Sequence, residues 1–171
     1  MAITEAARRR EEVYLAGGCF WGMQELLRNI PGVIETDVGY TGGHVKNATY
    51  RRHNAHAETV RVVFDPDRLP FEKLLHWFFR MHDPTTKDRQ GYDVGPSYRS
   101  AIFYTTEEQK AIAEDFKQRI DRAGSWGAPI VTEIVRATDY WKAEEDHQDY
   151  LEKNPGGYTC HFLRPESVLG D

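Results

Sequence analysis

Apolar residues along the chain repeat with two periods, and these periods predict the secondary structure. Alternate apolar residues such as Val60, Val62 and Phe64 are typical of a strand with one buried face. Strands are predicted at residues 12–16, 33–38, 59–64, 98–104 and 130–136. Spacings of three and four are typical of an amphipathic helix. Helices are predicted from Phe20 to Ile30, from Pro70 to Phe78, from a Thr105/Glu108 capping box to Gly124, and over a polar segment with Trp141, His147 and Leu151 facing inward.

The order of these elements, βαββαβαβα, indicates the fold class. No repeat, low-complexity tract or linker divides the chain, so residues 1–171 are expected to form one domain. The order favours an α+β two-layer sandwich, with helices packed on a mixed β-sheet, over a doubly wound parallel sheet. Two long loops, 39–57 and 82–97, and an irregular tail, 154–171, complete the prediction. Long loops in compact domains are often functional.

The composition excludes several kinds of partner and site. The formal net charge of −5 argues against the broad basic surface that binds nucleic acid. No apolar run is long enough to span a bilayer or to serve as a secretory signal, so we expect a cytoplasmic protein without a membrane partner. The two cysteines, Cys19 and Cys160, are far apart in sequence, which excludes a disulfide scaffold and a four-thiolate zinc site.

The run GGCFWG at residues 17–22 carries the strongest chemical signal. Cys19 falls at the N-terminus of a predicted helix, where free backbone N–H groups and the helix dipole favour a thiolate. A nucleophile is the functional interpretation, although cysteine is also often buried as a small hydrophobe. The flanking glycines would let a substrate approach. Trp21 lies outside the apolar stripe of the predicted helix. Its indole would either form an apolar wall for a small alkyl or thioether group of a substrate, or pack against other residues of the protein.

Polar residues beside the two long loops could complete such a site. Glu58 lies at the end of a predicted strand, and a carboxyl in an apolar pocket can have a raised pKa and donate a proton near neutral pH. The alternative is a solvated glutamate at a loop end. Tyr50, Asp93 and Tyr98 border the same loops. The two phenols could hydrogen-bond a polarised oxygen, and each of the three residues could equally be structural.

Two further patterns are weaker. His53 and His56, together with Cys19 or His44, could be imagined as metal ligands, but they lie in a loop without a known zinc motif, so no metal is expected. Cys160 follows glycines in the tail, which is expected to be mobile. Such a cysteine is either incidental or a resolving cysteine that attacks a sulfenic acid elsewhere to form a transient disulfide.

Eight motifs together resemble the peptide methionine sulfoxide reductase A family. They are GGCFWG at 17–22, GYTGG at 39–43, NATY at 47–50, HAE at 56–58, FDP at 64–66, HDP at 82–84, RQGYD at 89–93 and YRS at 98–100. The resemblance covers about residues 12–164, nearly the whole chain. It is specific because all eight motifs occur in order within one domain of this size.

The resemblance implies a fold and a role for each site residue. The family fold is an α+β two-layer sandwich, in agreement with the element order. Cys19 would be the nucleophile, and Glu58 would donate a proton to the sulfoxide oxygen. The other implied roles are oxygen binding by Tyr50 and Tyr98, methyl binding by Phe20 and Trp21, binding of the substrate amide or orientation of the site by Asp93, and resolution by Cys160.

The reaction implied by the resemblance reduces the S epimer of methionine sulfoxide, free or in proteins, in a single catalytic domain. Cys19 would take the oxygen as a sulfenic acid and Cys160 would resolve it as a disulfide. An external dithiol, expected to be thioredoxin, would restore both thiols. No bound cofactor is expected, and the chain is expected to be a monomer. The alternatives are a Cys–His acyl-transfer enzyme using Cys19 with His56 or His44, and a non-catalytic module that binds a metal or a peptide.

The chain departs from the family pattern in its loops. Ala55 stands where glycine is usual before HAE, and the segment between NATY and HAE is short. Tyr92, Pro96 and Ser97 replace the more usual Asn, Thr and Gln. These changes concern loop geometry and substrate preference rather than the chemistry.

Overall fold

The protein is built on one six-stranded sheet. A computed structural model describes residues 9–170. The strands of the sheet are β1 (Glu11–Gly17), β2 (Val33–Thr41), β3 (Ala57–Phe64), β6 (Ser100–Tyr104), β7 (Glu133–Arg136) and β8 (Tyr140–Lys142), and a separate two-stranded ribbon consists of β4 (Arg89–Gln90) and β5 (Asp93–Val94). The strand order of the sheet is β7-β6-β1-β3-β2-β8. Its neighbouring strands are antiparallel, apart from β6 and β7, which are parallel.

Helices cover one face of the sheet. They are α1 (Phe20–Arg28), α2 (Phe71–Met81), α3 (Glu107–Ala123) and the short α4 (Tyr150–Lys153). α1 packs on β2 and β3, and α2 packs on β1 and α3. Alternate residues of the central strands, such as Val13, Leu15, Val60 and Val62, are fully buried in the core beneath the helices. The predicted α+β fold, with helices on a mixed sheet, is confirmed. Within residues 9–170, no helix has the length and apolar character needed to cross a membrane.

Both predicted loops contain regular structure. β2 continues to Thr41 and β3 begins at Ala57, so the first loop is confined to residues 42–56. Gly39 pairs with β3 on one side and with β8 on the other, so ladder hydrogen bonds hold a segment whose composition indicated a loop. The second loop contains the β4–β5 ribbon and a 3₁₀ turn, Pro96–Tyr98, which places Tyr98 before β6. The strand predicted at 130–136 is shorter and begins at Glu133.

The prediction of a polar helix after β7 is wrong. Tyr140–Lys142 form the edge strand β8, which is followed by a 3₁₀ turn, Glu145–His147, and by α4. The side-chain amide of Gln148 donates to the carbonyl of Val38 and accepts from its N–H, both at 2.9 Å. These bonds and the pairing with β2 are tertiary contacts. They provide hydrogen-bond partners for backbone N–H and C=O groups of this segment and of β2. If the segment formed a local helix instead, these groups of β2 would need other partners.

α3 begins one residue later than the capping box predicted. Its N-cap is Thr106 rather than Thr105, and the Thr106 hydroxyl accepts from the N–H of Gln109 at 3.1 Å. Gln109, rather than Glu108, reaches back and accepts from the N–H of Thr105 at 2.9 Å. The Gln109 amide is buried and also donates to the carbonyl of Glu12 in β1 at 3.1 Å. The helix start is therefore fixed by a contact with the sheet.

The tail is irregular but closely packed. It ends in a 3₁₀ helix, Glu166–Leu169, and Leu169 is buried in the core. The backbone N–H of Arg164 donates to the carbonyl of Arg80 at the end of α2, at 2.8 Å, and Arg80 Nε donates to the carbonyl of Arg164 at 2.7 Å. The tail is therefore held at α4 and again at residues 164–169, which differs from the mobile tail that the sequence predicts.

Candidate active site

Cys19 lies at the N-terminus of α1, as the sequence predicts. It is the N-cap residue, and its side chain is buried. Burial raises the pKa of the thiol to about 12, the Glu58 carboxylate adds to this, and backbone N–H groups of Trp21 and Gly22 directed at the sulfur act against it. The N–H groups at the helix end therefore favour the thiolate, but burial has the larger effect on the pKa of Cys19. The predicted influence of the helix N-terminus on the thiol is therefore present, and burial opposes it.

Glu58 is a buried carboxyl at the start of β3. Its side chain is 1% exposed, and its Oε1 accepts a hydrogen bond from the N–H of Phe20 at 3.2 Å. Burial raises the pKa of Glu58 to about 8; the N–H of Phe20 lowers it and the charge of Asp93 raises it. The carboxyl is therefore mostly protonated at neutral pH. The alternative of a solvated glutamate is excluded.

The predicted polar residues lie close enough to influence one another electrostatically. Burial raises the pKa of the Tyr98 phenol, and the charges of Glu58, Tyr50, Asp93 and Cys19 raise it further. Burial also raises the pKa of Tyr50, followed by the charges of Glu58, Cys19 and Asp93. Both phenols are therefore protonated, and able to donate a hydrogen bond, at neutral pH. The fold brings together residues from α1, β3, both long loops and the ribbon.

An aromatic wall stands beside Cys19. Trp21 is partly exposed, its Nε1 donates to Nδ1 of His147 at 3.1 Å, and its ring stacks on Tyr150 with centroids 3.8 Å apart. The Tyr50 ring lies nearly parallel to the indole at 6.3 Å. Phe20, by contrast, is fully buried in the core. The indole therefore presents the accessible apolar surface, and Phe20 packs behind the site.

Several site residues were missed at the sequence level. Glu144 accepts from the Tyr40 phenol at 3.1 Å and from the backbone N–H of Tyr50 at 3.1 and 3.3 Å. Burial alone would raise the pKa of Glu144, but these hydrogen bonds and the N–H of its own backbone lower it. Glu144, His147 and Tyr150 all lie in the segment assigned to a polar helix. No local pattern separates them from solvated residues, because their partners are distant in sequence.

The glycines around Cys19 make room for the protein's own side chains. A Cβ on Gly22 would lie 2.3 Å from the ring of His161 and 2.5 Å from the hydroxyl of Thr159. Gly18 has a φ of +99°, and a Cβ there would lie 2.6 Å from the Gln90 side chain. The prediction that these glycines admit substrate is therefore wrong. They admit the tail and the ribbon, which pack on the N-terminus of α1.

The two loop histidines are structural. His56 is buried; its Nδ1 accepts from the N–H of Gly43 at 3.0 Å, and its Nε2 donates to the carbonyl of Val45 at 2.7 Å. One ring nitrogen of His53 bonds the hydroxyl of Ser97 at 2.8 Å. His56 therefore has no ring nitrogen left to act as a base for Cys19. Among residues 9–170, no group of three or more His, Cys, Asp or Glu side chains is arranged to hold a metal ion.

Arg99 of the YRS motif holds the altered loops together. Its guanidinium donates to the carbonyls of Ala55 at 2.9 Å and Pro96 at 2.7 Å, and pairs with Glu133 at 2.7 Å. These contacts to Ala55 and Pro96 use backbone carbonyls and do not depend on the side chains that differ from the family pattern. Tyr92, the third departure, is 93% exposed. Ser97, the fourth departure, is bonded to His53. The residues that differ from the family pattern therefore lie at the border of the site.

Cys160 lies on the ribbon side of the tail. Its sulfur is 4.0 Å from Oδ2 of Asp93, and the residue is partly buried. Both Cys160 and Cys19 are free thiols. The Asp93 carboxylate therefore contacts the tail.

Comparison with known proteins gives one consistent result. The family model described as peptide methionine sulfoxide reductase matches residues 11–168. The chain is 61% identical over 159 residues to peptide methionine sulfoxide reductase MsrA of Nitrobacter winogradskyi. The aligned residues make up 93% of this chain and 89% of that protein. It is 58% identical over 155 residues to MsrA of Mycolicibacterium paratuberculosis, with 91% of each chain covered.

Solved structures agree with the sequence comparison. The fold is similar to the reduced form of Mxr1 from Saccharomyces cerevisiae, with a TM-score of 0.81, 34% identity, and coverage of 94% of this chain and 95% of that chain. It is also similar to methionine sulfoxide reductase A of Corynebacterium diphtheriae, with a TM-score of 0.77, 38% identity, and coverage of 89% and 78%.

Proposed function

Because the chain belongs to the peptide methionine sulfoxide reductase family, we propose that it reduces the S epimer of methionine sulfoxide, free or in proteins, to methionine. The observation that carries the proposal is the pairing of a buried thiol, Cys19, with a buried carboxyl, Glu58, that is protonated at neutral pH. A sulfoxide sulfur becomes electrophilic when its oxygen is protonated or strongly hydrogen-bonded. One nucleophile and one acid are therefore what this chemistry requires.

The first step transfers oxygen from substrate to Cys19. Glu58 donates its proton to the sulfoxide oxygen as the Cys19 sulfur attacks the substrate sulfur, and the proton leaving the thiol restores Glu58. The protonated oxygen then passes to Cys19: the sulfur–oxygen bond of the substrate and the transient sulfur–sulfur bond break, and a sulfur–oxygen bond forms on Cys19. The sulfoxide is reduced to the sulfide, which leaves as methionine, and the Cys19 thiol is oxidised to a sulfenic acid. The N–H groups of Trp21 and Gly22 stabilise negative charge as it develops on the Cys19 sulfur.

The protonation of Glu58 also favours the nucleophile. The Glu58 carboxylate is one cause of the raised pKa of Cys19, and this contribution is absent while Glu58 holds its proton. When Glu58 is protonated, it can therefore donate a proton to the substrate, and Cys19 also ionises more easily. Tyr50 and Tyr98 would donate further hydrogen bonds to the same oxygen, because both phenols stay protonated.

The indole of Trp21 gives the site its shape. Its hydrogen bond to His147 and its stacking on Tyr150 fix the ring, which would contact the methyl group of the substrate. Phe20, placed beside the methyl group by the resemblance, would support this surface from the core. A fixed apolar wall and a fixed acid on a chiral frame accept one sulfoxide epimer in the reactive orientation, and Asp93 would border the substrate amide.

The second half of the cycle uses Cys160. Cys160 would attack the sulfenic acid on Cys19 and release water, which leaves a disulfide that an external dithiol reduces. We propose thioredoxin as that reductant and a monomer as the functional form. The acyl-transfer alternative that pairs Cys19 with His56 is not supported, since both ring nitrogens of His56 are engaged.

A single-turnover assay tests the proposal. Reduced protein is mixed with the separated epimers of a blocked methionine sulfoxide, without reductant, and the sulfide formed and free thiols lost are counted per enzyme. We expect one equivalent of sulfide from the S epimer and the loss of two thiols. Cys19→Ser should form none. Cys160→Ser should form one equivalent and stop as a sulfenic acid until a small thiol is added.

Two results would contradict the proposal. If Cys160→Ser gave no burst of sulfide, Cys160 would be needed before the resolving step. If the R epimer were consumed as fast as the S epimer, the apolar wall and acid would not select a configuration.

A further inference from the structure

Cys160 and Tyr158 share one carboxylate. The Tyr158 hydroxyl donates to Oδ2 of Asp93 at 3.1 Å, and the Cys160 sulfur lies 4.0 Å from the same oxygen. That distance is the outer limit for a thiol hydrogen bond. The turn of the ribbon closes on the thiol from the other side, because a Cβ on Gly91 would lie 3.8 Å from Cβ of Cys160 and 4.0 Å from its sulfur.

The neighbouring tail residues face the other way. Thr159 and His161 both pack on Gly22 of α1, and Nε2 of His161 donates to the carbonyl of Gly17 at 2.7 Å. Residues 158 and 160 thus face the ribbon while 159 and 161 face α1, which is the alternation of an extended chain. The tail is anchored on both sides of Cys160, and its thiol is directed at Asp93.

The resolving thiol needs help to react. Burial raises the pKa of Cys160, and the charge of Asp93 adds to this, so the group is a thiol at neutral pH. A thiolate, not a thiol, attacks sulfur efficiently. Something must therefore take the proton as the sulfur–sulfur bond forms, and a carboxylate oxygen of Asp93 lies 4.0 Å from the Cys160 sulfur.

We propose that Asp93 is the base for the resolving thiol and that Tyr158 positions it. The inference rests on the proposed function, since it requires a sulfenic acid on Cys19. Asp93 accepts the proton of Cys160 as its sulfur attacks the Cys19 sulfur. The sulfur–oxygen bond breaks, the proton passes to the departing hydroxide, and the products are a disulfide and water. No further oxidant or reductant takes part in this step.

Other ionisable groups near the tail are less suited to this role. His161 bonds Gly17 through Nε2, and its buried Nδ1, which has no hydrogen-bond partner, faces Gly22 rather than Cys160. Glu58 is bonded to the N–H of Phe20 and holds its own proton at neutral pH. Tyr158 and Arg164 are the other side chains that act on the pKa of Cys160, and both lower it. Neither is a base at neutral pH.

The test separates oxygen transfer from resolution. Asp93→Asn and Tyr158→Phe are each mixed with the S epimer of a blocked methionine sulfoxide without reductant, and sulfide and disulfide are followed separately by rapid quenching. Tyr92→Phe, an exposed phenol on the same ribbon, is the control. We expect Asp93→Asn to slow disulfide formation by about 10²-fold relative to its own rate of sulfide formation and to accumulate sulfenic acid; because the charge of Asp93 also acts on Glu58, each rate is compared within the variant. Tyr158→Phe should slow the disulfide step by about 3-fold, the scale of one hydrogen bond.

A pH series distinguishes a lost base from a distorted tail. The defect of Asp93→Asn in the disulfide step should shrink as pH rises, because more Cys160 then ionises without a base, whereas a distorted tail would leave the defect unchanged. Disulfide formation at the wild-type rate in Asp93→Asn would overturn the proposal. So would a defect confined to sulfide formation, which would place Asp93 at the substrate. Absence of a sulfide burst from the wild-type enzyme would instead reject the proposed function.

Discussion

Glu58 shows how burial sets the chemistry of a single residue. The same side chain in solvent would be ionised at neutral pH, but at 1% exposure its pKa is about 8. Cys19 responds in the same direction, because burial disfavours the charged form of any acid. At neutral pH, therefore, burial favours the neutral form of both groups.

The rate of oxygen transfer should fall as pH rises through about 8. Glu58 is then losing the proton that it donates, and its charge also opposes ionisation of Cys19. Glu58→Gln keeps the size and a hydrogen-bond donor but cannot give up a proton. We expect it to lower the single-turnover rate by about 10²-fold or more and to remove the fall at high pH. Single-turnover kinetics from pH 6 to pH 10 provide the measurement.

Glu144→Gln is the matched control for this substitution. The pKa of Glu144 is lowered, so it is already ionised at neutral pH and cannot produce a fall near pH 8. The fall should therefore persist in Glu144→Gln. A near-normal burst and an unchanged pH profile in Glu58→Gln would leave Tyr50 and Tyr98 as the better candidates for the acid.

The same pKa has a consequence for stability. Because the pKa of Glu58 is raised from its ordinary 4.5 to about 8, the folded protein binds more protons than the unfolded chain between those values. The contribution of Glu58 to the free energy of unfolding therefore falls as pH rises across this window. Denaturant titrations at pH 5 and pH 8 should show a smaller difference in Glu58→Gln than in the wild type.

At the scale of elements, the N-terminus of α1 is a docking point for the tail. Gly22 lies in the first turn of the helix, where alanine would be the better helix former. Its missing side chain leaves the space occupied by the ring of His161 and the hydroxyl of Thr159. The glycine thus serves the packing of two elements rather than the helix itself.

Gly22→Ala should release the tail without unfolding α1. The new Cβ would lie within 2.5 Å of both tail side chains, so something must shift, at a cost of about 1–3 kcal/mol, and the tail is the part able to move. We expect faster hydrogen exchange at residues 158–163 and slower disulfide formation, with the sulfide burst retained. Gln118→Ala, at an exposed position on α3, is the control. Unchanged exchange in the tail would show that the overlap is relieved elsewhere.

At the scale of the whole molecule, the tail is a segment held at both ends. α4 fixes its beginning, where Arg28 pairs with Asp149 at 2.9 Å, and the bonds between Arg164 and Arg80 fix its continuation. The two cysteines have separate environments: the Cys19 sulfur meets N–H groups of α1, and the Cys160 sulfur meets Asp93. Formation of a disulfide must rearrange the stretch between these two anchors.

Oxidation should therefore change exchange in only part of the tail. A disulfide brings its Cα atoms to about 4.4–6.8 Å, and the sulfur–sulfur bond replaces the resting contact of the Cys160 thiol with Asp93, which accepts the proton as the bond forms. We expect amides of residues 155–163 to exchange faster in the oxidised protein, while residues 164–169 stay protected by their contacts with α2 and the core. Hydrogen exchange with mass spectrometry of both redox states measures this. Identical exchange at 155–163 would mean that resolution needs no such movement.

Local sequence patterns were enough to predict the elements with strong periodicity and to select the candidate site residues. α2 follows its apolar stripe, and the alternation at residues 59–64 is the buried face of β3, because both patterns report local geometry and burial together. Cys19 and Glu58 were identified from their motifs, and the helix N-terminus at Cys19 was correct. These features depend on residues that are neighbours in the chain.

The tertiary structure decided what depends on distant partners. The segment after β7 is a strand, a 3₁₀ turn and the short helix α4 rather than one polar helix, because β2 offers it an edge and Gln148 binds Val38. The state of Cys19 was decided by burial, which outweighs the helix end that the sequence reveals. Gly22 and the position of Cys160 were decided by the packing of the tail on α1 and the ribbon. Such contacts join residues 67 or more positions apart, and a local pattern holds no record of them.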